Sequence, residues 1–457
     1  MKPILSFVYS PRWRHIHAGL VWNISMLVLD ATLVSHIIVT LTTKAQRTKD
    51  LPTNLWLMKL ALEGGEPIRK RPMPPRVALG TAEEAELMAC IQHYRSLGED
   101  PPYSGKWNKL FSEAFAEYQG GGHALPVSSG TGAVYVAIAS LEIPQGSVVL
   151  TSPVTCSGVI GAIHALGLRP KVVDAAENSL NIDASQVKHR LTDDVRAIVI
   201  THSGGEPVDV PSILEVIGRK NVAVVEDCSQ ATGAAIRGQK VGTWGHIAAF
   251  STMYRKNLAA GASSGLVYTR DFDLYRRALS YSDRGKPLWR LDLNLKDPGH
   301  AFFPALNWNS SEMSNAIGLA SLRRLDDTNL RRRSFLETLI REMKLRDSVC
   351  LPSNYHDGFA PFFFPIFIDL SRVKVSAEKF AIALQAEGIP LGAKYGCIVS
   401  TWPWADDIVT DTFVPVNAIS TRDRTFNLHL NENYGQEEVK DILDAIDKVA
   451  NAYQKQS

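Results

Sequence analysis

The chain has 457 residues, 45% of them hydrophobic and 21% charged, enough to bury a large core and far from the polar composition of a disordered segment. Its 49 Lys and Arg stand against 47 Asp and Glu, a net charge of +2 that lacks the excess a nucleic-acid surface needs and favours a small-molecule ligand. The five cysteines, Cys90, Cys156, Cys228, Cys350 and Cys397, are far apart with no CxxC pair, which argues for a reducing, cytoplasmic setting and against a zinc site.

Residues 17–42 are fairly apolar and flanked by Arg12, Arg14, Lys44, Arg47 and Lys49, so a single membrane anchor is one reading. Asn23, Asp30 and His36 oppose it, because an aspartate near mid-span costs about 2.5–3.5 kcal/mol on insertion scales. No small-residue cleavage pattern of the signal-peptide kind is present. We read residues 1–57 as an extension, with the folded unit starting near Met58. Residues 64–76, rich in Gly, Pro and Arg, suit an extended arm lying on other structure.

A helix is predicted over Thr81–Leu97, opened by a Thr81/Glu84 capping box and presenting Ala85, Met88, Ala89 and Ile91. A second is predicted over Lys106–Tyr118, with Leu110, Phe111, Ala114 and Phe115 at helical spacing and Gly120 to Gly122 as its stop. Ser128-Ser129-Gly130-Thr131-Gly132 then opens an apolar helical run, Val134–Leu141. Such a turn offers free N–H groups to a phosphate, or it simply caps the helix.

Apolar strands at 148–150, 171–173, 197–200 and 222–225 alternate with helical segments at 158–166 and 211–220. That alternation predicts an α/β fold, a mostly parallel sheet with helices on both faces and ligands at the carboxyl ends of its strands. Ser152–Cys156, His202–Gly205 and Asp227–Gln230 all fall at that edge, Asp227 as either helix cap or ligand. Lys256 falls in a loop between strands at 246–250 and 266–269. A loop lysine is ordinarily a solvated charge. Here Ser251 precedes it, Gly261 and Gly265 follow it, and an acid ends the strand upstream. A buried amine beside an acid and phosphate-binding groups suits Schiff-base chemistry with pyridoxal phosphate.

Four ordered motifs carry a resemblance. Ser129-Gly130-Thr131, then Glu226-Asp227-Cys228-Ser229-Gln230, then Phe250-Ser251 with Lys256-Asn257-Leu258, then Asn307-Trp308-Asn309-Ser310-Ser311-Glu312 occur in the order found in the DegT/DnrJ/EryC1/StrS aminotransferases. The resemblance runs from about Leu60 to the C-terminus and implies a fold-type I transferase dependent on pyridoxal 5'-phosphate. Its implied partition is a large cofactor-binding domain over 58–325 and a small α+β domain over 326–457. By the resemblance, Lys256 holds the cofactor covalently and shuttles the proton, Asp227 pairs with the pyridine nitrogen, and Gln230 lies near the ring. Gly130, Thr131 and Ser251 form the phosphate cup, and Asn307 reaches a phosphate from the partner subunit of a homodimer. The alternative for Asn307 is a cap on the helix starting near Ser311. The implied reaction moves an amino group from glutamate or glutamine to a nucleotide-linked keto-sugar or a keto-cyclitol.

Three departures stand out. Cys156 occupies the position where a stacking aromatic or histidine is usual, Ala262-Ser263-Ser264 replaces a glycine-rich run, and Asn309 replaces a common arginine. A non-transaminating relative, regulatory or dehydratase-like, is the alternative these raise. The dehydratases carry histidine in place of the lysine, and this chain has Lys256. Lys394-Tyr395-Gly396, ahead of Trp402-Pro403-Trp404, falls where the family places residues facing the substrate.

Overall fold

The computed structural model describes residues 58–455, apart from 78, 219 and 291. The extension and membrane-anchor readings of residues 1–57 therefore lie outside the described residues. Among the described residues no helix is long and apolar enough to cross a membrane.

Helices α1 (Thr81–Leu97) and α2 (Lys106–Tyr118) form where helical spacing predicts them. The cap of α1 is one residue early, because the Gly80 N–H donates to the Glu83 carboxylate at 2.8 Å. Its inward face also differs from the predicted one. Glu83, Cys90 and Tyr94 are buried while Met88 is 42% exposed. Polar anchoring decides this rotation: Glu83 pairs with Arg324 at 2.6 Å, and the Tyr94 hydroxyl donates to Glu312 at 2.6 Å. Those contacts outweigh the weak apolar stripe of Ala85, Met88 and Ala89. In α2, Trp107, Phe111 and Phe115 are buried, and glycines 120 to 122, all at positive φ, end the helix.

The central unit then runs β1 (His123–Val127), α3 (Gly130–Ala139), β2 (Val148–Thr151), α4 (Ser157–Ala165), β3 (Arg169–Val172), α5 (Ala184–Arg190), β4 (Val195–Thr201), α6 (Val210–Ile217) and β5 (Ala223–Asp227). A small hairpin, β6 (Ala235–Ile236) and β7 (Gln239–Lys240), precedes β8 (Ile247–Ser251), β9 (Gly265–Thr269) and α7 (Phe272–Ser282). The seven-stranded order is β1-β9-β8-β5-β4-β2-β3. Its core strands are parallel, and β9 runs antiparallel to both β1 and β8. Periodicity misses β1, which is an edge strand and so tolerates Pro126 without losing a central ladder bond. The stretch after α7 holds, among its described residues, a short 3-10 turn, Pro298–His300, and an isolated Asp283–Asn307 bridge before α8 (Glu312–Arg323).

A second sheet gathers the C-terminal part. It follows α9 (Leu325–Lys344) and consists of β10 (Cys350–Pro352) and β11 (Phe363–Ile368), then, after α10 (Ala377–Ala386), β12 (Leu391–Gly392). After α11 (Val416–Arg424) comes β13 (Thr425–His429), and α12 (Gln436–Tyr453) closes the chain. The order β10-β11-β13-β12 is wholly antiparallel, and α9, α10 and α12 bury Phe335, Leu339, Phe380, Leu384, Ile442 and Ile446 in its core.

The Pro-rich segment is an extended arm, as its composition predicts. Arg69 pairs with Asp441 at 2.6 Å and Glu438 at 3.1 Å, and Glu387 accepts N–H groups of Ala61 and Ile68 while pairing with buried Lys448 at 2.8 Å. The carbonyls of Pro74 and Pro75 accept from Asn431 and Asn433. Pro has no N–H, so Pro72, Pro74 and Pro75 are held through their carbonyls, whereas Ile68 and Arg69 also use their N–H groups. Its end carries Arg76 to the lysine loop.

Candidate active site

Helix α3 begins at Ser129, whose hydroxyl accepts the Gly132 N–H at 3.0 Å while its carbonyl accepts the Ala133 N–H at 2.9 Å. The Gly130 and Thr131 N–H groups precede that ladder and point out of the helix start. A methyl group on Gly130 would lie 2.5 Å from Ser251 Cβ, so only glycine lets the helix start meet the end of β8 this closely. Thr131 in turn packs on the start of α4, where a methyl on Gly158 would meet Thr131 Oγ1 at 2.4 Å. Cys156 is the N-cap of α4, with its thiol accepting the Gly158 N–H at 3.5 Å. Two helix N-termini and Ser251 thus share one opening at the carboxyl edge of the sheet, which can hold an anion.

Lys256 stands in the loop between the antiparallel strands β8 and β9. The loop is pinned: the Ala260 N–H donates to the Thr252 carbonyl at 2.7 Å, and the Arg76 guanidinium to the Lys256 carbonyl at 2.7 Å. The amine lies 4.6 Å from the centre of the Phe362 ring. Burial lowers the Lys256 pKa below its ordinary 10.5, against the opposing pull of Asp227, Cys156 and Cys397. Desolvation wins because those partners are too few to replace the hydration of an ammonium. The shift runs in the direction of the neutral, nucleophilic amine.

Asp227 ends β5, 4% exposed, and accepts the Ser229 N–H at 3.1 Å. It therefore serves as a local cap and also lies within electrostatic reach of Lys256. Gln230 accepts the Gly204 N–H at 2.8 Å through Oε1 and meets the Tyr395 hydroxyl at 3.4 Å through Nε2. Burial pushes the Tyr395 phenol well up, so it is a neutral hydrogen-bonding group. Beneath this layer His202, Glu226 and Cys228 put donor atoms within 4.8 Å of one another. Those donors are spent on structure. Glu226 accepts N–H groups of Gly242, Trp244 and Gly245, and His202 Nδ1 accepts the Val208 N–H at 2.9 Å.

The model of the DegT/DnrJ/EryC1/StrS aminotransferase family matches residues 91–447. The chain belongs to this family. A putative L-glutamine:3-amino-2,3-dideoxy-scyllo-inosose aminotransferase of Micromonospora echinospora is 30% identical over 283 residues, 62% of this chain and 65% of that protein. The chain thus spans somewhat less than two thirds of that relative's length. Spore coat polysaccharide biosynthesis protein SpsC of Bacillus subtilis is 29% identical over 343 residues, covering 74% of this chain and 87% of that protein. The fold is shared with an aminotransferase from Psychrobacter cryohalolentis, with a TM-score of 0.75 at 22% identity, covering 82% of this chain and 98% of that one.

The departures from the DegT/DnrJ/EryC1/StrS pattern acquire physical roles. Ser263 donates to the Ser128 carbonyl at 2.8 Å and Ser264 to the Val127 carbonyl at 3.3 Å, tying the lysine loop to the phosphate-type turn. Asn309 donates to Asn307 Oδ1 at 2.8 Å. Asn307 is exposed, and its carboxamide is engaged with Asn309 and Tyr103. It does not cap α8: Ser311 does, accepting the Ser314 N–H at 3.3 Å. The structure thus brings Gly130, Thr131 and Ser251 together, and Asp227, Cys156 and Lys256 within electrostatic reach, with Gln230 joined through Tyr395; Asn307 precedes Trp308, whose carbonyl accepts the Ser128 N–H at 2.8 Å beside the glycine turn. Phe362, Cys397 and Arg76 are site residues that sequence reading misses, because each arrives from a remote segment. Only Lys394-Tyr395-Gly396 hinted at the second of them.

Proposed function

We propose that the chain is a pyridoxal-phosphate-dependent aminotransferase that moves an amino group from glutamate or glutamine to a nucleotide-linked keto-sugar or a keto-cyclitol. One observation carries the reading: a desolvated Lys256 amine stands beside Asp227 at the carboxyl edge of a mostly parallel sheet, next to a glycine-opened helix start. The cofactor's fit rests on that opening, where a single Cβ at Gly130 would fill the space against Ser251. The names of the relatives, with glutamine as donor and an inosose as acceptor, support the substrate classes.

When bound, pyridoxal phosphate supplies an electron sink that stabilises negative charge on the carbon losing its proton. The chain's residues do the rest. Gly130 and Thr131 N–H groups and the Ser251 hydroxyl would hold the phosphate, and the charge of Asp227 would favour a protonated pyridine nitrogen. Gln230, held by Gly204 and Tyr395, would lie near the ring. Lys256 would hold the cofactor through its amine, and its Nζ is the group placed to take and return a proton there. Cys156 brings a thiol rather than a ring to the position of the usual stacking residue, and Phe362 is the aromatic side chain at the lysine.

In this reading residues 58–325 form the cofactor domain and 326–457 the small domain, in a cytoplasmic homodimer. Asn307, exposed and turned toward Asn309 and Tyr103, is donated to the partner's phosphate site. The deciding experiment is a visible absorbance band from bound pyridoxal phosphate that shifts on adding glutamate or glutamine, with amine formation on keto-sugars or keto-cyclitols. Lys256→Ala should lose the band and lower turnover by several orders of magnitude. Near-normal turnover in that variant refutes the reading. A band that no amino donor shifts would favour a non-transaminating binder.

A further inference from the structure

Arg76 ends the proline-rich arm half-buried against the lysine loop, where its Nη2 donates to the Lys256 carbonyl at 2.7 Å. Its other donors make no hydrogen bond among the described residues, and its Nε is buried without a partner. No Asp or Glu among those residues is in ion-pair contact with it, which sets it apart from the arginines around it. Arg69 meets Asp441 and Glu438, Arg324 meets Glu83, and Arg332 meets Glu432. Glu432 is the acid whose charge reaches Arg76, but it is already engaged by Arg332 at 2.9 Å and by the Val77 N–H at 2.9 Å. Burial, followed by the like charges of Arg332 and Arg324, pushes the Arg76 pKa down to about 10, with Glu432 pulling the other way.

A guanidinium taken out of water with no acid beside it is costly, and such an arrangement next to a reactive group marks a place that a ligand completes. Holding the Lys256 carbonyl does not require the charge, because a neutral amide N–H does the same. The unspent donors belong to a rigid planar fork whose shape matches two oxygens of a carboxylate or a phosphate. Lys256 Nζ stands one lysine side chain away. In the reading above the cofactor's own phosphate goes to the opening at Gly130 and Ser251, so the oxyanion left for Arg76 is one carried by a reactant.

We propose that Arg76 is a substrate-binding residue whose guanidinium takes an oxyanion of a reactant, either the carboxylate of the amino donor or the phosphate of a nucleotide-linked acceptor. This rests on the reading of Lys256 as the reactive amine. It adds a specificity determinant to that site, since a reactant with no oxyanion in reach of the arm leaves the Arg76 charge unpaired.

The full chain, loaded with pyridoxal phosphate, is titrated by calorimetry with two probes that have no amine or ketone to exchange: glutarate for the donor's carboxylate and pyrophosphate for the acceptor's phosphate. The unsubstituted protein should bind at least one. Arg76→Gln keeps an N–H for the Lys256 carbonyl and should weaken that binding about ten-fold or more, whereas Arg76→Lys keeps the charge and should lose less. Loss confined to glutarate identifies the donor, and loss confined to pyrophosphate identifies the acceptor. In turnover, KM for the matching reactant should rise more than kcat falls. Phenylglyoxal labelling of the unsubstituted chain, mapped by mass spectrometry, needs no variant to fold: Arg76 should be labelled in the free protein and protected by the probe that binds. The proposal is overturned if Arg76→Gln binds both probes as tightly as the unsubstituted chain, if the unsubstituted chain binds neither, or if neither probe changes the labelling of Arg76. The visible band of the bound cofactor is read in the same samples, so its absence refutes the reading of Lys256, while a normal band without anion binding refutes the role of Arg76 alone.

Discussion

Arg332 donates to Asn257 Oδ1 at 2.6 Å, so the residue next to Lys256 is held by a buried guanidinium on α9. The same Arg332 meets Glu432 at 2.9 and 3.2 Å, and the Asn257 amide donates to Asn329 at 2.9 Å. A charge pair with both members almost fully buried thus anchors the lysine loop to the C-terminal part of the chain. Glu432→Ala leaves the guanidinium buried without its partner, which costs about 3–5 kcal/mol. Denaturant unfolding should show that loss. Conservative Glu432→Gln should lose less, because it keeps a hydrogen-bond acceptor.

Gly130→Ala tests the phosphate opening. Its new methyl would meet Ser251 Cβ at 2.5 Å and the Ser251 Cα at 3.0 Å, and backbone cannot yield as a flexible side chain does. We expect overpacking of about 1–3 kcal/mol and at least a ten-fold weaker titration with pyridoxal phosphate. Unchanged affinity would remove Gly130 from the cup.

Asp227→Asn tests the charge opposite the pyridine nitrogen. The fold should persist, since the Asn side chain can still accept the Ser229 N–H. Turnover should fall by orders of magnitude and the absorbance of the bound cofactor should shift, because the neutral amide no longer favours a protonated ring. Unaltered kinetics would count against the assignment.

Glu206 gives a pH signature of stability. Burial pushes its carboxyl up to about 7, with the Asn181 amide pulling the other way. The native state therefore holds a proton that the unfolded chain releases near 4.5. Stability from this group is present below about 4.5 and is lost as pH rises through about 7. Glu206→Gln should flatten the decline in melting temperature over that window. A tenfold difference in proton affinity between native and unfolded chains is worth about 1.4 kcal/mol, so the decline is measurable, and an identical pH profile for the variant would refute it.

Shared sites can be tested by mixing. Lys256→Ala and Asn307→Ala proteins, each impaired alone, should on co-refolding give heterodimers with one intact site and partial activity. Heterodimers without any recovery would mean that Asn307 serves its own chain or no phosphate.

The sequence by itself determined what depends on near neighbours. Strand and helix alternation placed β2 to β5, the glycine turn placed the start of α3, and Lys256 fell between β8 and β9 as its flanking apolar runs require. These follow from side-chain periodicity and backbone freedom, which act over a few residues. Only the tertiary structure decided what depends on remote partners. The inward face of α1 was set by Arg324 and Glu312, not by its own stripe of Ala and Met. Strand β1 exists because β9 pairs with it, residue for residue from His123↔Thr269 to Val127↔Gly265. Helix α9, dense in Asp and Arg, turns Arg332 inward because Glu432 and Asn257 wait there. Arg76, Phe362 and Cys397 reach the lysine from three separate segments, and no local pattern encodes such a meeting, since its free energy comes from desolvation and pairing that exist only after the chain has closed on itself.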